Sequence, residues 1–229
     1  MIHLQGVSVD YPNGVRALTD IDLSIRKGDF AFIVGPTGSG KSTLLRMIYR
    51  EFLPTRGTVT VEGDQVTTLK PSRVPYLRRK LGIVFQDFKL LPQKNVWENV
   101  AYALRVIGAH PKDIRRRIGD ALNMVGLSQR CDSFPDQMSG GEQQRAAIAR
   151  ALINHPTVLI ADEPTGNLDP DTSWEIMQLL EQINARGTTV MVATHDNQMV
   201  DRMKKRVIQL DGGLLVRDQY SATYQYCEL

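Results

Sequence analysis

An unbroken apolar run, Phe30-Ala31-Phe32-Ile33-Val34, leads straight into Gly35-Pro36-Thr37-Gly38-Ser39-Gly40-Lys41-Ser42. A run that short and that apolar reads as a strand buried on both faces, the kind found inside a parallel sheet. The glycine-rich stretch after it reads as a loop, and Ser42 to Phe52 reads as a helix. The loop meets the pattern G-x-x-x-x-G-K-[ST] in the strand–loop–helix context that gives the pattern its meaning. Its glycines let successive backbone N–H groups point at phosphate oxygens, Lys41 brings a cation to the β- and γ-phosphates, and Ser42 offers a hydroxyl to Mg²⁺. The candidate cradle is Gly35, Pro36, Thr37, Gly38, Ser39, Gly40, Lys41, Ser42 and Thr43.

The rest of the chain is organised around this unit. Ile2, Leu4, Val7, Val9 and Tyr11 give a broken period of two, and Leu18 to Ile25 repeats it, so the chain opens with strands. Thr58 to Val61 and Leu81 to Phe85 continue as strands. Asn95 to Ile107, Lys112 to Val125 and Gly140 to Ile153 then read as helices, a helical insertion over about 87–153. Val158 to Ala161, a helix from Pro170 to Arg186 stopped by Gly187, and Thr189 to Ala193 form a strand–helix–strand crossover, which argues a parallel α/β sheet. Arg206 to Leu210 and Leu214 to Arg217 flank Asp211-Gly212-Gly213 as a closing hairpin, and 218–229 reads as a surface tail. No repeat or long linker calls for a second independent domain, so 1–229 is expected to be one domain.

Bulk composition excludes several classes. A formal charge of +3 is too small to argue for nucleic acid. The basic triplets Arg78-Arg79-Lys80, Arg115-Arg116-Arg117 and Lys204-Lys205-Arg206 read as solvated helix faces, or as a surface for docking or for anionic lipid headgroups. The cysteines, Cys131 and Cys227, have no disulfide-framework or metal-ligand spacing, which fits a reducing compartment. No apolar run approaches the roughly 20 residues that span a bilayer, and the N-terminus lacks a secretion signal, so the chain is expected to be neither secreted nor membrane-spanning by itself.

Further chemistry lies at strand ends. Asp162-Glu163 follows the apolar Val158-Leu159-Ile160-Ala161 and so emerges at the carboxyl end of a strand, where parallel sheets bind ligands. Asp162 suits the metal shell, and Glu163 suits alignment or deprotonation of an attacking water. His195, just beyond Ala193-Thr194, can reach a γ-phosphate or that water. Gln86 follows Leu81–Phe85 in the same way, and its amide can ligate a metal or sense a phosphate. Ser139-Gly140-Gly141-Glu142 precedes an apolar helix-forming run, a start well suited to anions. Asp169-Pro170 reads as a helix N-cap with proline at the first helical position, and a functional role can be added to that. Tyr11 is open to two readings, packing or stacking on a base.

With these pieces in order, the chain resembles the ATP-binding cassette (ABC) ATPases over essentially its whole length. The phosphate loop, Gln86, the signature Ser139–Glu142, Asp162-Glu163, Asn167–Asp169 and His195 occur in that family's order. The resemblance implies a P-loop NTPase cassette: a RecA-like parallel-sheet core, an N-terminal antiparallel β subdomain and an inserted α-helical subdomain. It implies ATP and Mg²⁺ as ligands, with Lys41, Gln86, Glu163 and His195 catalytic and Ser42, Gln86 and Asp162 on the metal. It implies that two cassettes pair head to tail, each presenting Ser139, Gly140, Gly141 and Asp169 to ATP held by the other, and that Tyr11 stacks on the adenine. The family's usual Leu-Ser-Gly-Gly-Gln reads Met138-Ser139-Gly140-Gly141-Glu142 here, with a carboxylate in place of an amide.

Within the family, Val84–Pro92 and Ala161–Pro170 are similar to a bacterial cell-division branch, and lipoprotein-release and peptide-export ATPases share part of the pattern. The division reading implies a polytopic membrane partner, with Phe88, Leu90 and Leu91 as candidate contacts, and a peripheral position on the cytoplasmic face of the membrane at the division site. A soluble ABC protein acting on nucleic acid would be expected to carry a coiled-coil insertion or a second cassette, and neither occurs. A nucleotide-gated module without hydrolysis is disfavoured by the intact Lys41, Asp162, Glu163 and His195.

Overall fold

The computed structural model describes residues 1–221, so Cys227 and the rest of the tail beyond Ser221 lie outside the described residues. Among the described residues ten strands and seven α-helices follow in order: β1 (Ile2–Asp10), β2 (Arg16–Ile25), β3 (Phe30–Val34), α1 (Lys41–Ile48), β4 (Arg56–Val61), β5 (Asp64–Gln65), α2 (Val74–Arg79), β6 (Leu81–Val84), α3 (Val96–Val106), α4 (Pro111–Met124), α5 (Gly140–Leu152), β7 (Val158–Asp162), α6 (Pro170–Ala185), β8 (Thr189–Ala193), α7 (Asn197–Met203), β9 (Arg206–Asp211) and β10 (Leu214–Gln219). Contacts gather into two compact units, one of Met1–Arg78 with the chain from Thr189 onward, the other Arg79–Thr188. The second unit is therefore wider than the helical insertion expected at 87–153, because β6, β7 and α6 cluster with the helices.

In the first unit, β2-β1-β4-β5 form an antiparallel sheet. Ile2, Leu4, Val7 and Val9 face inward, and the break in their alternation is a bulge at Gly6, whose φ of 55° is left-handed. β3 lies between β8 and β9 in parallel, Phe32 opposite both Val192 and Val207, and all five of its residues are buried. Burial on both faces explains why its sequence does not alternate. β10 closes on β9 in antiparallel pairing that extends to Gln219, so Asp218 and Gln219 belong to a strand and not to the expected tail. Asp218 is held there by Arg206, which is 6% exposed and pairs with it at 2.7 Å.

Helix α1 stops at Ile48, short of the expected Phe52. Tyr49 caps it, Arg50 turns left-handed with φ 58°, and Arg78 donates to the carbonyls of Tyr49 and Arg50 at 2.9 Å each. One member of a basic triplet is thus committed to closing a helix.

In the second unit β6 and β7 are parallel, Val84 opposite Ala161. Helix α5 lies against β6, α3, α4 and α6, and its small residues Ala146, Ala147 and Ala149, all fully buried, permit that close approach. Arg117 of α4 donates to the Ile153 carbonyl beyond the end of α5. Among the described residues no helix is long and apolar enough to cross a membrane.

Candidate functional site

The phosphate loop is built by β3 and α1 of the first unit. Gly35 has φ 143°, and a Cβ there would strike the Leu210 backbone carbonyl; a Cβ on Gly40, φ 103°, would stand 2.6 Å from the Ala17 carbonyl oxygen. Only glycine fits either position. Lys41 is buried and its ammonium donates to the carbonyls of Gly35 (2.8 Å) and Pro36 (3.0 Å), which folds the loop around the lysine stem. Gly40 is the N-cap of α1 and supplies no side-chain cap, and no acidic residue lies in the first turn. The positive end of this helix is therefore left to an external anion. The Ser39 hydroxyl, 3% exposed, is buried with no hydrogen-bond partner among the described residues. An orphaned donor inside a cradle that side chains would fill fits a phosphate group.

His195 is brought to the same edge by strand register. Ile33 lies opposite Ala193, and the Thr194 N–H continues the ladder to the Ile33 carbonyl at 3.1 Å, so His195 leaves β8 level with the start of the loop that leaves β3. Its ring is exposed. The backbone on either side is pinned: Thr194 is buried, its hydroxyl accepts from the Asp196 N–H at 3.1 Å, and Asp196 caps α7 through the Met199 N–H at 3.0 Å. Tyr11 also reaches this loop. Its hydroxyl pairs with the Thr43 hydroxyl at 2.9 Å and its ring stands edge-on to Phe52 at 6.1 Å. The packing reading of Tyr11 is thus satisfied, beside the helix that carries the phosphate loop.

The second unit holds the other predicted residues. Because Val84 pairs with Ala161, Gln86 and Glu163 leave neighbouring parallel strands at the same end. Asp162 and Glu163 are half-buried, and Glu163 is left-handed, φ 49°, a conformation that costs energy for a residue with a Cβ and is often found at working sites. The Gln86 carbonyl accepts from the Asn167 side-chain amide at 3.2 Å, and a Cβ on Gly166 would stand 2.9 Å from the Gln86 side-chain nitrogen. Gln86 is therefore packed on the turn that follows Glu163. Asp169 caps α6, accepting from the Thr172 N–H at 3.0 Å, with Pro170 at the first helical position as expected. The Thr172 hydroxyl and N–H hold the Asp169 carboxyl below the ordinary carboxylate range.

Helix α5 starts in a reciprocal cap. The Ser139 hydroxyl accepts from the Glu142 N–H at 3.2 Å, and the Glu142 carboxylate accepts from the Ser139 N–H at 2.9 Å and from Arg130 at 3.0 Å. The backbone of Ser139, with Arg130 adding attraction, holds the Glu142 carboxyl below its usual range. The unusual carboxylate of the signature is thus spent on the helix's own first turn. Gly141, read as a bare backbone donor, is also a packing requirement: it is buried, and a Cβ would overlap the Thr172 methyl of α6. Sequence reasoning missed Gln144, fully buried on α5, whose amide donates to the Pro164 carbonyl at 2.6 Å beside Glu163; a polar residue on an otherwise apolar helix face was the available signal.

Fold and residues together define a nucleotide-binding cassette. The chain belongs to the ABC transporter family, whose model matches residues 18–166, and it is an ABC-type ATPase. It is 54% identical to the cell division ATP-binding protein FtsE of Bacillus subtilis (strain 168) over 98% of each chain. It is 52% identical to the protein of that name from Mycobacterium tuberculosis (strain H37Rv), again over 98% of each. It also matches the dimeric, post-hydrolysis structure of the ATP-binding cassette MJ0796 bound to ADP and Pi, with a TM-score of 0.86, 37% identity, and coverage of 98% of this chain and 100% of that one.

Proposed function

We propose that this chain is the ATP-hydrolysing subunit of a cell-division complex, working with an FtsX-like polytopic membrane protein at the cytoplasmic face of the membrane. The observation that carries the reading is the end-to-end likeness to proteins named for cell division, 54% identical over 98% of both chains in the first case. In this reading ATP-driven pairing of two cassettes changes the conformation of the membrane partner, which regulates cell-wall hydrolases outside the cell. The likeness to a dimeric cassette supports pairing.

The residues divide the work as follows. Backbone N–H groups from Gly35 to Thr43 bind the phosphates, and Lys41 turns from the loop carbonyls toward the β- and γ-phosphates. Ser42, Gln86 and Asp162 offer a hydroxyl, an amide oxygen and a carboxylate, the all-oxygen donor set that suits a hard cation, and they would hold Mg²⁺. When bound, that ion neutralises charge developing on the transferred phosphoryl group. Glu163 aligns or deprotonates the attacking water, and His195 hydrogen-bonds the γ-phosphate. Ser139, Gly140 and Gly141 cover ATP held by the second cassette, Asp169 joins them, and Tyr11 stacks on the adenine. Phe88, half-buried, and Leu91, 37% exposed, lie in the loop that would receive the membrane partner.

The test is the mass of Glu163→Gln protein in solution. With ATP and Mg²⁺ it is expected to elute as a dimer that returns to monomer when ADP replaces ATP; a monomer under both conditions would contradict the head-to-tail mechanism.

A further inference from the structure

The segment from Phe85 to Asn95, between β6 and α3, has no regular structure, and side chains from other elements of its unit hold it in place. Buried Asn99 of α3 accepts from the Leu91 N–H at 2.7 Å and donates to the carbonyls of Leu91, Lys94 and Asn95. Asn167 holds the Gln86 carbonyl. Between these anchors, Phe88 and Lys89 adopt consecutive left-handed conformations, φ 58° and 49°. Neither is a glycine, and the conformation costs energy for a residue with a Cβ, so the pair persists only where its surroundings impose it.

Arg150 of α5 holds both residues of the step by their carbonyls. Its guanidinium donates to the Phe88 carbonyl at 2.8 Å and, through the other terminal nitrogen, to the Lys89 carbonyl. The Phe88 ring also lies near Gly140, where a Cβ would be 3.9 Å from its tip, so the same step touches the start of the signature helix. Burial lowers the Arg150 pKa, as expected of a cation partly withdrawn from water. A guanidinium can bridge two carbonyls that a lysine, with its single ammonium, cannot span in the same fork.

We infer that Arg150 is a positioning residue: by clamping the left-handed Phe88–Lys89 step to α5 it fixes the Gln86 amide two residues upstream, so that the loop and the signature helix move as one piece. The inference rests on the proposed role of Gln86 in catalysis. Nucleotide binding, which depends on the phosphate loop, is not expected to need the clamp; the chemical step is.

The experiment compares Arg150→Met, Lys89→Gly, the double variant and Gln86→Ala in the full chain. Single-turnover ATP hydrolysis, affinity for a fluorescent ATP analogue, Tm and hydrogen exchange of residues 85–92 are measured for each. Glycine adopts the left-handed conformation without cost, so Lys89→Gly alone is expected to leave turnover unchanged. Arg150→Met is expected to raise exchange in 85–92 and slow hydrolysis by about tenfold or more, as small misplacements of a catalytic group do, with analogue affinity changed less than about twofold. The double variant is expected to recover a measurable part of that loss. Arg150→Lys, which keeps the charge, serves if Arg150→Met does not fold, and is expected to fall between wild type and Gln86→Ala. Slow hydrolysis in Gln86→Ala with normal hydrolysis in Arg150→Met would overturn the inference, as would a loss in Arg150→Met that tracks Tm and is not recovered by Lys89→Gly. Wild-type turnover in Gln86→Ala would instead overturn the role of Gln86, and this inference with it.

Discussion

Ser139 and Glu142 cap each other: the serine hydroxyl takes the Glu142 N–H at 3.2 Å while the glutamate carboxylate takes the Ser139 N–H at 2.9 Å. This reciprocal arrangement satisfies two backbone donors at the start of α5 that the helix itself cannot. Glutamate and glutamine both complete it, which explains how the signature tolerates a carboxylate. Glu142→Gln is therefore expected to cost less than about 0.5 kcal/mol, the value of a part-exposed ion pair with Arg130. Glu142→Ala should cost about 1 kcal/mol. Denaturant unfolding of the two variants checks the order; equal losses would contradict the capping role.

The same contact has a pH signature. The folded Glu142 carboxyl lies below its ordinary value, so it binds its proton less readily folded than unfolded. The stability it adds is fully present above the unfolded value of about 4.3 and is lost as pH falls through the lowered folded value. The difference in stability between wild type and Glu142→Gln should be flat from neutral pH to about 5 and shift below about 4. A difference independent of pH down to the acid transition would count against it.

Gly141 and Thr172 should be coupled. A Cβ at Gly141 overlaps the Thr172 methyl, so Gly141→Ala is expected to destabilise the chain by about 1–3 kcal/mol through overpacking. Thr172→Ser removes the methyl and keeps the hydroxyl. The double variant should regain most of the loss, and a double-mutant cycle measures the coupling. Additive losses would mean that the Thr172 methyl is not what excludes a side chain at Gly141.

Arg206 joins the C-terminal strand to the turn before β3. It is 6% exposed, pairs with Asp218 and Asp29 at 2.7 Å each, and donates to the Ser24 carbonyl at 2.9 Å. Arg206→Met leaves Asp29 without this partner, and breaking such a pair costs about 3 kcal/mol. Urea unfolding checks the value, and exchange in 214–219 should rise first.

The parallel strands were legible because they are buried on both faces: Phe30–Val34, Val158–Ala161 and Thr189–Ala193 appear in the sequence as short, mostly apolar runs. Helices with a cap and a stop were equally clear, as at Asp169-Pro170. Less visible were elements whose signals are tertiary. Helix α2 has Pro75 in its first turn and is six residues long, α7 is seven residues long with Asp196 as its cap, and just past the early end of α1 the carbonyls of Tyr49 and Arg50 are taken by Arg78, distant in sequence. The candidate site follows the same rule. Gly35–Ser42, Asp162-Glu163 and His195 stand at strand ends that periodicity locates. The duty of Glu142 is written in the Ser139-x-x-Glu142 spacing, whereas those of Gly141 and Arg150 arise from Thr172, Phe88 and Lys89, neighbours that spacing does not reveal.

The most direct test is to cross-link native membranes containing Glu163→Gln protein and ATP, isolate the chain, and identify the attached membrane protein by mass spectrometry. The expected catch is an FtsX-like polytopic protein together with division-site proteins. Recovery of a lipoprotein-release or peptide-export permease instead would leave the ATPase assignment standing and contradict the division role.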